Sequence, residues 1–136
     1  KDEQAVEILK EALNFGDVTF DQFQVDKNFD ILCYLAEYQI GDFVDKVKVF
    51  LTDKDERVRF AAVELLIAQE NNDVSAWLEP FLADSSAENT RIRQTVIEAF
   101  LAKEWSIQDR SPFPNNEIRP GIGVTKSGTL TSREHV

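Results

Sequence analysis

The chain has 136 residues, 43% of them hydrophobic, and a formal net charge of −10 at neutral pH. This composition is typical of one folded domain and excludes disorder over most of the length. No apolar run approaches the roughly 20 residues that a membrane-spanning helix needs, and the excess of carboxylates argues against binding to nucleic acid phosphates.

The N-terminal part of the chain predicts a diverged helix pair. Apolar residues recur at helical spacing in its first segment, at Ala5, Val6, Leu9, Ala12 and Leu13. They recur again in a second segment, at Phe29, Leu32, Cys33 and Ala36. We expect Asp26 to cap the second helix. The linker at 17–24 contains Phe20 and Phe23, so we expect it to pack against the helices.

Residues 41–104 contain an internal repeat. Arg57-Val58-Arg59 aligns with Arg91-Ile92-Arg93 at an offset of 34, and the same offset places Glu64 on Glu98. Upstream, residues 50–53 match residues 81–84 at an offset of 31, so three extra residues fall in the second turn. Each copy predicts a helix, an acidic turn and a second helix. Asp55 is placed to cap the second helix of the earlier copy.

The predicted helices of this repeat are strongly apolar. In the first helix of each copy, the apolar residues form one stripe along the helix. The stripe consists of Phe43, Val44, Val47, Phe50 and Leu51 in the earlier copy and of Val74, Trp77, Leu78, Phe81 and Leu82 in the later copy. The second helix of the earlier copy is apolar on two sides, at Val58, Ala62, Leu65 and Leu66 and at Phe60, Val63 and Ile67. A helix that is apolar on two sides needs neighbours on both, and stacked helical hairpins provide them.

Residues 105–136 differ in character from the rest of the chain. Pro112, Pro114 and Pro120, together with three glycines, prevent a helix from continuing. We expect an irregular C-terminal tail in which residues 123–131 form a small β-hairpin. The tail is expected either to dock on the helices of its own chain or to cross onto a neighbouring copy, which would make a homo-oligomer.

The motif Phe50-Leu51-x-Asp53-x-x-x-x-Val58-Arg59-x-x-Ala62-x-x-x-Leu66 resembles a HEAT repeat of the short bacterial type found in phycobilisome-lyase-like proteins. The segment Leu78-Glu79-Pro80-Phe81-Leu82 resembles the first helix of such a unit. The resemblance covers residues 41–104 well and residues 3–40 loosely. It implies an all-α fold, an armadillo-like α-solenoid (α-α superhelix) of about three helical hairpins in residues 1–104, followed by the irregular tail.

The resemblance also implies roles for particular side chains. In the HEAT family, the Asp of the turn and an Arg of the second helix form a ladder through the stack. By position, Asp53 with Arg59 and Asp84 with Arg93 would form this ladder.

The second helices of a solenoid line a curved surface that binds segments of other proteins. We expect a protein partner to contact this surface through Arg57, Glu64, Arg91, Gln94 and Glu98, with Trp105 at its end. The alternative for these residues is solvated surface charge and ladder pairing, and Trp105 would then belong to the core.

Groups that could carry catalysis are sparse. The chain has a single histidine, His135, and a single cysteine, Cys33, so no nucleophilic triad or metal cluster of familiar spacing is present. Glu64 and Glu98 would need a pocket that shifts their pKa to act as general acid and base. We therefore predict a non-catalytic protein-binding scaffold or adaptor, without cofactor or metal, in the cytoplasm, where a lone thiol stays reduced. The alternative, from the resemblance, is an accessory subunit of a lyase-like enzyme that attaches a tetrapyrrole (bilin) to a protein.

Overall fold

The computed structural model describes residues 2–133; Lys1 and residues 134–136, which include His135, lie outside the described part. The chain is 57% helical, with six α-helices and a three-stranded antiparallel sheet in the described part. The predicted helical character is thus confirmed in outline, whereas the all-α description omits the sheet. None of the described helices is long and apolar enough to cross a lipid bilayer.

The chain divides into two units, Lys1–Asn71 and Asn72–Val136. The first unit contains α1 (Glu3–Ala12), α2 (Gln22–Leu35), a 3-10 turn (Gly41–Phe43), α3 (Val44–Val47), a second 3-10 turn (Lys48–Thr52) and α4 (Glu56–Ile67). The second unit begins with the repeat's later copy and includes the tail. The domain boundary predicted after residue 104 stays a prediction.

Aspartate caps begin the three longer helices of the first unit. The carboxylates of Asp2, Asp21 and Asp55 each accept a hydrogen bond from the backbone N–H three residues later, which satisfies an otherwise unpaired donor. The predicted cap Asp55 is therefore confirmed. The predicted cap Asp26 is wrong, because α2 begins at Gln22 and Asp26 lies within its second turn.

The core of the first unit lies mainly between α2 and α4. The large side chains buried there include Leu32, Leu35, Phe50, Leu65 and Leu66. Each burial of this kind contributes about 1.5–3 kcal/mol relative to exposure. Because both apolar sides of α4 are covered, its exposed strip is narrow and carries Arg57 and Glu64, which are seven residues, or about two turns, apart.

Two glutamines join the ends of α2 and α4 by a reciprocal set of hydrogen bonds. The amide of Gln39 donates to the carbonyl of Ala68 at 2.9 Å and accepts from the backbone N–H of Glu70 at 2.8 Å. The amide of Gln69 binds the two neighbours of Gln39: it donates to the carbonyl of Tyr38 and accepts from the backbone N–H of Ile40, both at 2.9 Å. These bonds satisfy backbone groups that the helix ends leave unpaired.

The second unit contains α5 (Val74–Leu78), two 3-10 turns (Glu79–Ala83 and Ala87–Asn89), α6 (Thr90–Lys103) and the strands β1 (Glu117–Arg119), β2 (Ile122–Val124) and β3 (Leu130–Ser132). The strands are antiparallel in the order β1-β2-β3. The predicted hairpin is confirmed as the β2–β3 pair, in which Val124 lies opposite Leu130. The description of the whole tail as irregular is wrong, because β1 adds a third strand.

Both copies of the repeat have the predicted order of elements. In each, a short α-helix runs into a 3-10 turn that ends just before an aspartate, and a longer helix follows. The apolar stripes of the first helices are buried at Val44 and Val47 in one copy and at Val74, Leu78 and Leu82 in the other. The sequence repeat is therefore matched by a repeat of local structure, one copy in each unit.

The tail packs on the helices of its own unit. The carboxylate of Glu79 accepts hydrogen bonds from the backbone N–H groups of Gln108 and Asp109 at 2.9–3.0 Å. Strand β3 packs against α6. Farther along, Arg93 of α6 donates to the carbonyl of Ile118 in β1 at 2.8 Å. Docking within the chain is thus the arrangement that the structure has.

Candidate functional site

Arg57, predicted to contact a partner, is engaged within its own unit. Its Nη2 donates to Oδ1 of Asp26 at 2.8 Å, and its Nε lies 3.6 Å from Oδ1 of Asp55. The guanidinium carbon is 5.2 Å from the centre of the Phe29 ring, a cation–π distance. The hydrogen bond from Arg57, followed by one from Gln22, lowers the pKa of Asp26. Arg57 therefore ties α4 to α2 while part of its side chain stays exposed.

Glu64, two turns along the same strip, lies near Cys33 of α2. Partial burial is the largest cause that raises the pKa of the Cys33 thiol, and the negative charges of Glu64 and Asp30 raise it further. A thiol whose pKa is raised is mostly protonated at neutral pH and is a weak nucleophile. The charge of Glu64 therefore does not activate Cys33 as a nucleophile.

On α6, the structure brings two of the predicted contact residues together. Nε2 of Gln94 donates to Oε2 of Glu98 at 2.8 Å, one helical turn away, and Arg91 lies exposed one turn earlier. Trp105 is half-buried just after the helix. Its ring meets Phe100 edge-on at 5.2 Å, and the Lys103 ammonium lies 5.7 Å from its centre. Trp105 thus packs partly into the second unit.

The predicted ladder arginines bind main-chain carbonyls. Nη1 of Arg59, a largely buried side chain, donates to the carbonyls of Asp53 at 2.9 Å and Lys54 at 3.2 Å. Nε of Arg93 donates to the carbonyl of Leu82 at 2.9 Å. Each arginine therefore fastens its helix to the end of the preceding 3-10 turn. A ladder that runs from one repeat to the next stays a prediction.

The ladder aspartates shape their own turns. The carboxylate of Asp53 accepts from the backbone N–H of Asp55 at 3.0 Å, next to the cap of α4. The carboxylate of Asp84 accepts from Ser86 N at 2.9 Å and Oγ at 2.6 Å, and from Asn89 Nδ2 at 2.7 Å. Short polar side chains that bond to the backbone two residues ahead are typical of Asx turns.

The largest departure from the sequence prediction concerns Phe20 and Phe23. They were expected to pack, but their exposed fractions are 96% and 89%. Phe20 immediately precedes the cap Asp21, a position whose side chain often packs on the fourth residue of the helix. Here that residue, Val25, is buried and Phe20 is not. The two rings therefore project from the start of α2 into solvent.

A sequence signal for this feature exists. Asp21 and Gln24 have the spacing of a capping box, in which a cap residue is followed three positions later by Glu or Gln. Recognising it would begin α2 at Gln22 and would place Phe23 in the first turn. In the described residues, all six large hydrophobic side chains that are exposed fall in the first unit, namely Ile8, Phe15, Phe20, Phe23, Tyr34 and Val49.

A groove of about 490 Å³ lies between α1 and α2 beside Phe23. Its apolar lining comes from Leu9 of α1 and from Phe23 and Ile31 of α2. Its polar lining is mostly acidic and consists of Asp21, Asp26 and Asp30 together with Gln24 and Lys27. Arg57 neutralises Asp26, so two unpaired carboxylates and one ammonium group remain beside the apolar floor, which favours ligands that are both apolar and cationic.

A second groove in the first unit, of about 650 Å³, lies between α1 and α3. Its floor includes Phe43, whose ring centre is 5.3 Å from the ammonium of Lys10 and 6.0 Å from that of Lys46. Glu7, Glu11 and Asp42 balance these lysines. Two ammonium groups beside three carboxylates leave this groove with little net charge, and its lysines lie over the aromatic floor.

Among residues 2–133, no group of three or more His, Cys, Asp or Glu side chains is placed to hold a metal ion. Comparison with family models, with curated proteins and with solved structures finds no match to this chain. The function is therefore argued from the surface of the molecule.

Proposed function

We propose that this chain is a non-catalytic adaptor that binds a protein partner. The observation that carries the proposal is the exposure of Phe20 and Phe23 at the start of α2. An exposed phenylalanine forgoes about 1.5–3 kcal/mol of burial free energy, so two of them three residues apart contribute little to folding. Aromatic side chains are enriched at the centres of protein interfaces, where a partner covers them.

We propose further that the helical pairs are HEAT-like and that they stack as a solenoid. The shared order of elements in residues 41–67 and 74–103, with buried apolar stripes at matching positions, supports a tandem repeat. Adaptors of this class present rigid helical surfaces to extended or helical segments. The single cysteine, Cys33, supports a location in the reducing cytoplasm.

The polar residues predicted from the repeat enter this proposal as outer contacts. They are Arg57 and Glu64 on α4, and Arg91, Gln94 and Glu98 on α6. Exposed charges at the edge of an interface affect association rate and selectivity more than affinity. No contact among residues 2–133 favours the alternative role in tetrapyrrole attachment over protein binding.

The proposal is tested by quantitative affinity capture from the native source with the full chain as bait. The test variant is Phe20→Ser with Phe23→Ser, and the matched control is Val49→Ser, another exposed apolar side chain of the same unit. Because all three side chains are exposed, both variants should keep their melting temperatures. We expect proteins that are captured by the wild type and the control to be lost with the double variant. Identical captured sets from all three baits would overturn the proposal.

The contribution of the polar surface is tested separately. Arg57→Glu also removes the ion pair with Asp26, so a loss of binding in that variant would have two causes. Arg91→Glu on α6 is the second charge reversal, and its melting temperature establishes whether the fold is kept. We expect it to weaken capture less than the double phenylalanine variant, because exposed charge pairs contribute little to affinity.

A further inference from the structure

We propose that the groove between α1 and α2 binds a basic amphipathic segment of a partner protein. In this arrangement Phe20, Phe23 and the groove floor take the apolar side of the segment, while the aspartates at the groove edge take its Lys and Arg side chains. The inference rests on the proposed function and names the chemistry of the partner.

The apolar half of the site is formed by side chains from two helices. Leu9 of α1 and Ile31 of α2 line the groove, and Phe23 stands beside them. Phe20, three residues earlier, is exposed just before the start of α2 and is not part of the groove lining. A segment with apolar residues at regular spacing would cover Phe23 and reach the groove floor at once, as amphipathic helices do in hydrophobic grooves.

The charge of the groove selects a basic segment. Three carboxylates line it, but that of Asp26 is paired with Arg57, so Asp21 and Asp30 remain against the single ammonium of Lys27. The hydrogen bond from Arg57 lowers the pKa of Asp26, so this carboxylate stays ionised well into the acid range. Residues 2–71 contain sixteen acidic and seven basic side chains, so the net negative charge of the unit attracts cations.

The same charge disfavours the other occupants. A second copy that brought its own first unit to the groove would present a like-charged surface, and like charges at an interface oppose association. An anionic lipid surface, which attracts basic proteins, would repel this face in spite of the two phenylalanines. A basic peptide segment satisfies the apolar and the electrostatic halves of the site together.

The experiment uses the full chain and a displayed library of random peptides. Peptides are selected on the wild type, synthesised with a fluorophore, and measured by fluorescence anisotropy against four proteins. These are the wild type, Phe20→Ser/Phe23→Ser, Asp30→Asn and the control Val49→Ser. Melting temperatures of the four proteins establish that each is folded.

We expect the selected peptides to be basic and apolar. Their affinity should fall at least about tenfold in the double phenylalanine variant, as for central aromatic contacts of interfaces. It should fall by a smaller factor in Asp30→Asn, should weaken as salt is raised, and should be unchanged in Val49→Ser.

The outcomes separate the inference from the function on which it rests. Selected peptides that are neutral or acidic, or that bind the double variant as tightly as the wild type, would overturn the inference and leave the adaptor proposal standing. So would a dimer, seen by sedimentation, that the double variant loses, because the occupant would then be a second copy. No enriched peptide, together with identical captured sets from the native source, would overturn both.

Discussion

Arg57 of α4 and Asp26 of α2 form a 2.8 Å hydrogen-bonded ion pair. The two residues are 31 positions apart in the chain, and their contact joins the two helices. Both side chains are partly exposed, and Phe29 lies under the guanidinium. The pair explains why the pKa of Asp26 is lowered and why Arg57, whose pKa is raised, is not simply a surface charge.

A double-mutant cycle with Asp26→Asn and Arg57→Gln tests this pair. Because the pKa of Asp26 is lowered from 3.8 in the folded state, its ionised form stabilises the fold at neutral pH. That stabilisation is lost as the pH falls below 3.8 through the folded-state pKa. We therefore expect favourable coupling in urea unfolding at neutral pH that disappears in acid and shrinks with salt. Coupling of equal size at both pH values would show that the contact is not electrostatic.

The carboxylate of Asp17, in the first unit, has its pKa lowered to about 2. The Thr19 hydroxyl, which donates at 2.7 Å, is the largest cause, and Lys54 donates at 3.0 Å. We expect carboxyl NMR to give a midpoint of about 2, and Thr19→Ala to raise it more than Lys54→Gln does. A larger rise in the lysine variant would contradict the assignment of the cause.

The start of α2 shows what local sequence pattern leaves open. Asp21 and Asp26 are both suitable residue types for the N-cap of α2. If Asp26 is taken as the cap, Phe20 and Phe23 fall in the preceding linker and are predicted to be buried. The structure uses Asp21, whose carboxylate accepts from the backbone N–H of Gln24, while the carboxylate of Asp26 is bound to Arg57. The exposed aromatic surface went unpredicted because the capping-box spacing of Asp21 and Gln24 was overlooked.

The repeat was more accessible to prediction. The aligned segments around Arg57 and Arg91 correspond to α4 and α6, and the cap Asp55 begins α4 as expected. Helical periodicity is a local property, so it is readable from the sequence. The acceptors of Arg59 and Arg93 are main-chain carbonyls, which no side-chain pattern reveals. Strand β1 was also missed, because Pro120 and Gly121, which form the turn between β1 and β2, were counted only as residues that end a helix.

Arg93 fastens the tail to α6, so its removal should loosen the sheet. Arg93→Met removes the donor to Ile118 and to Leu82. Hydrogen bonds to charged groups contribute about 1.5–3 kcal/mol each to stability, so we expect a loss in the free energy of unfolding of at least this order. Hydrogen exchange of residues 117–124 should accelerate.

Arg91→Met is the matched control, an exposed arginine two residues earlier on the same helix. We expect it to change the free energy of unfolding less than Arg93→Met does, because the Arg91 side chain is exposed whereas that of Arg93 is partly buried. Equal effects of the two substitutions on exchange in the sheet would refute an anchoring role for Arg93.

The alkylation rate of the Cys33 thiol is expected to depend on the negative charge of Glu64. Burial raises the pKa of the thiol, and Glu64 is the next cause. Glu64→Gln removes a negative charge, so the pKa should fall and more thiolate should be present at mildly alkaline pH. We expect faster alkylation of the variant, with the pH–rate profile displaced to lower pH.

Glu98→Gln, the equivalent substitution in the later copy of the repeat, provides the control for this measurement and should leave the alkylation rate unchanged. Asp30→Asn should displace the profile less than Glu64→Gln does, because Asp30 is the smaller cause. A profile that is the same in Glu64→Gln and the wild type would mean that burial alone sets the reactivity.

The reciprocal hydrogen bonds of Gln39 and Gln69 use amides, which neither titrate nor carry charge. Ionic strength and acidity, which alter the attraction between the aspartates of the groove and any cation, therefore leave this junction between α2 and α4 intact. The first unit can lose its electrostatic hold on a ligand while α2, which forms one side of the groove, stays joined to α4. Release of a bound segment need not begin with unfolding.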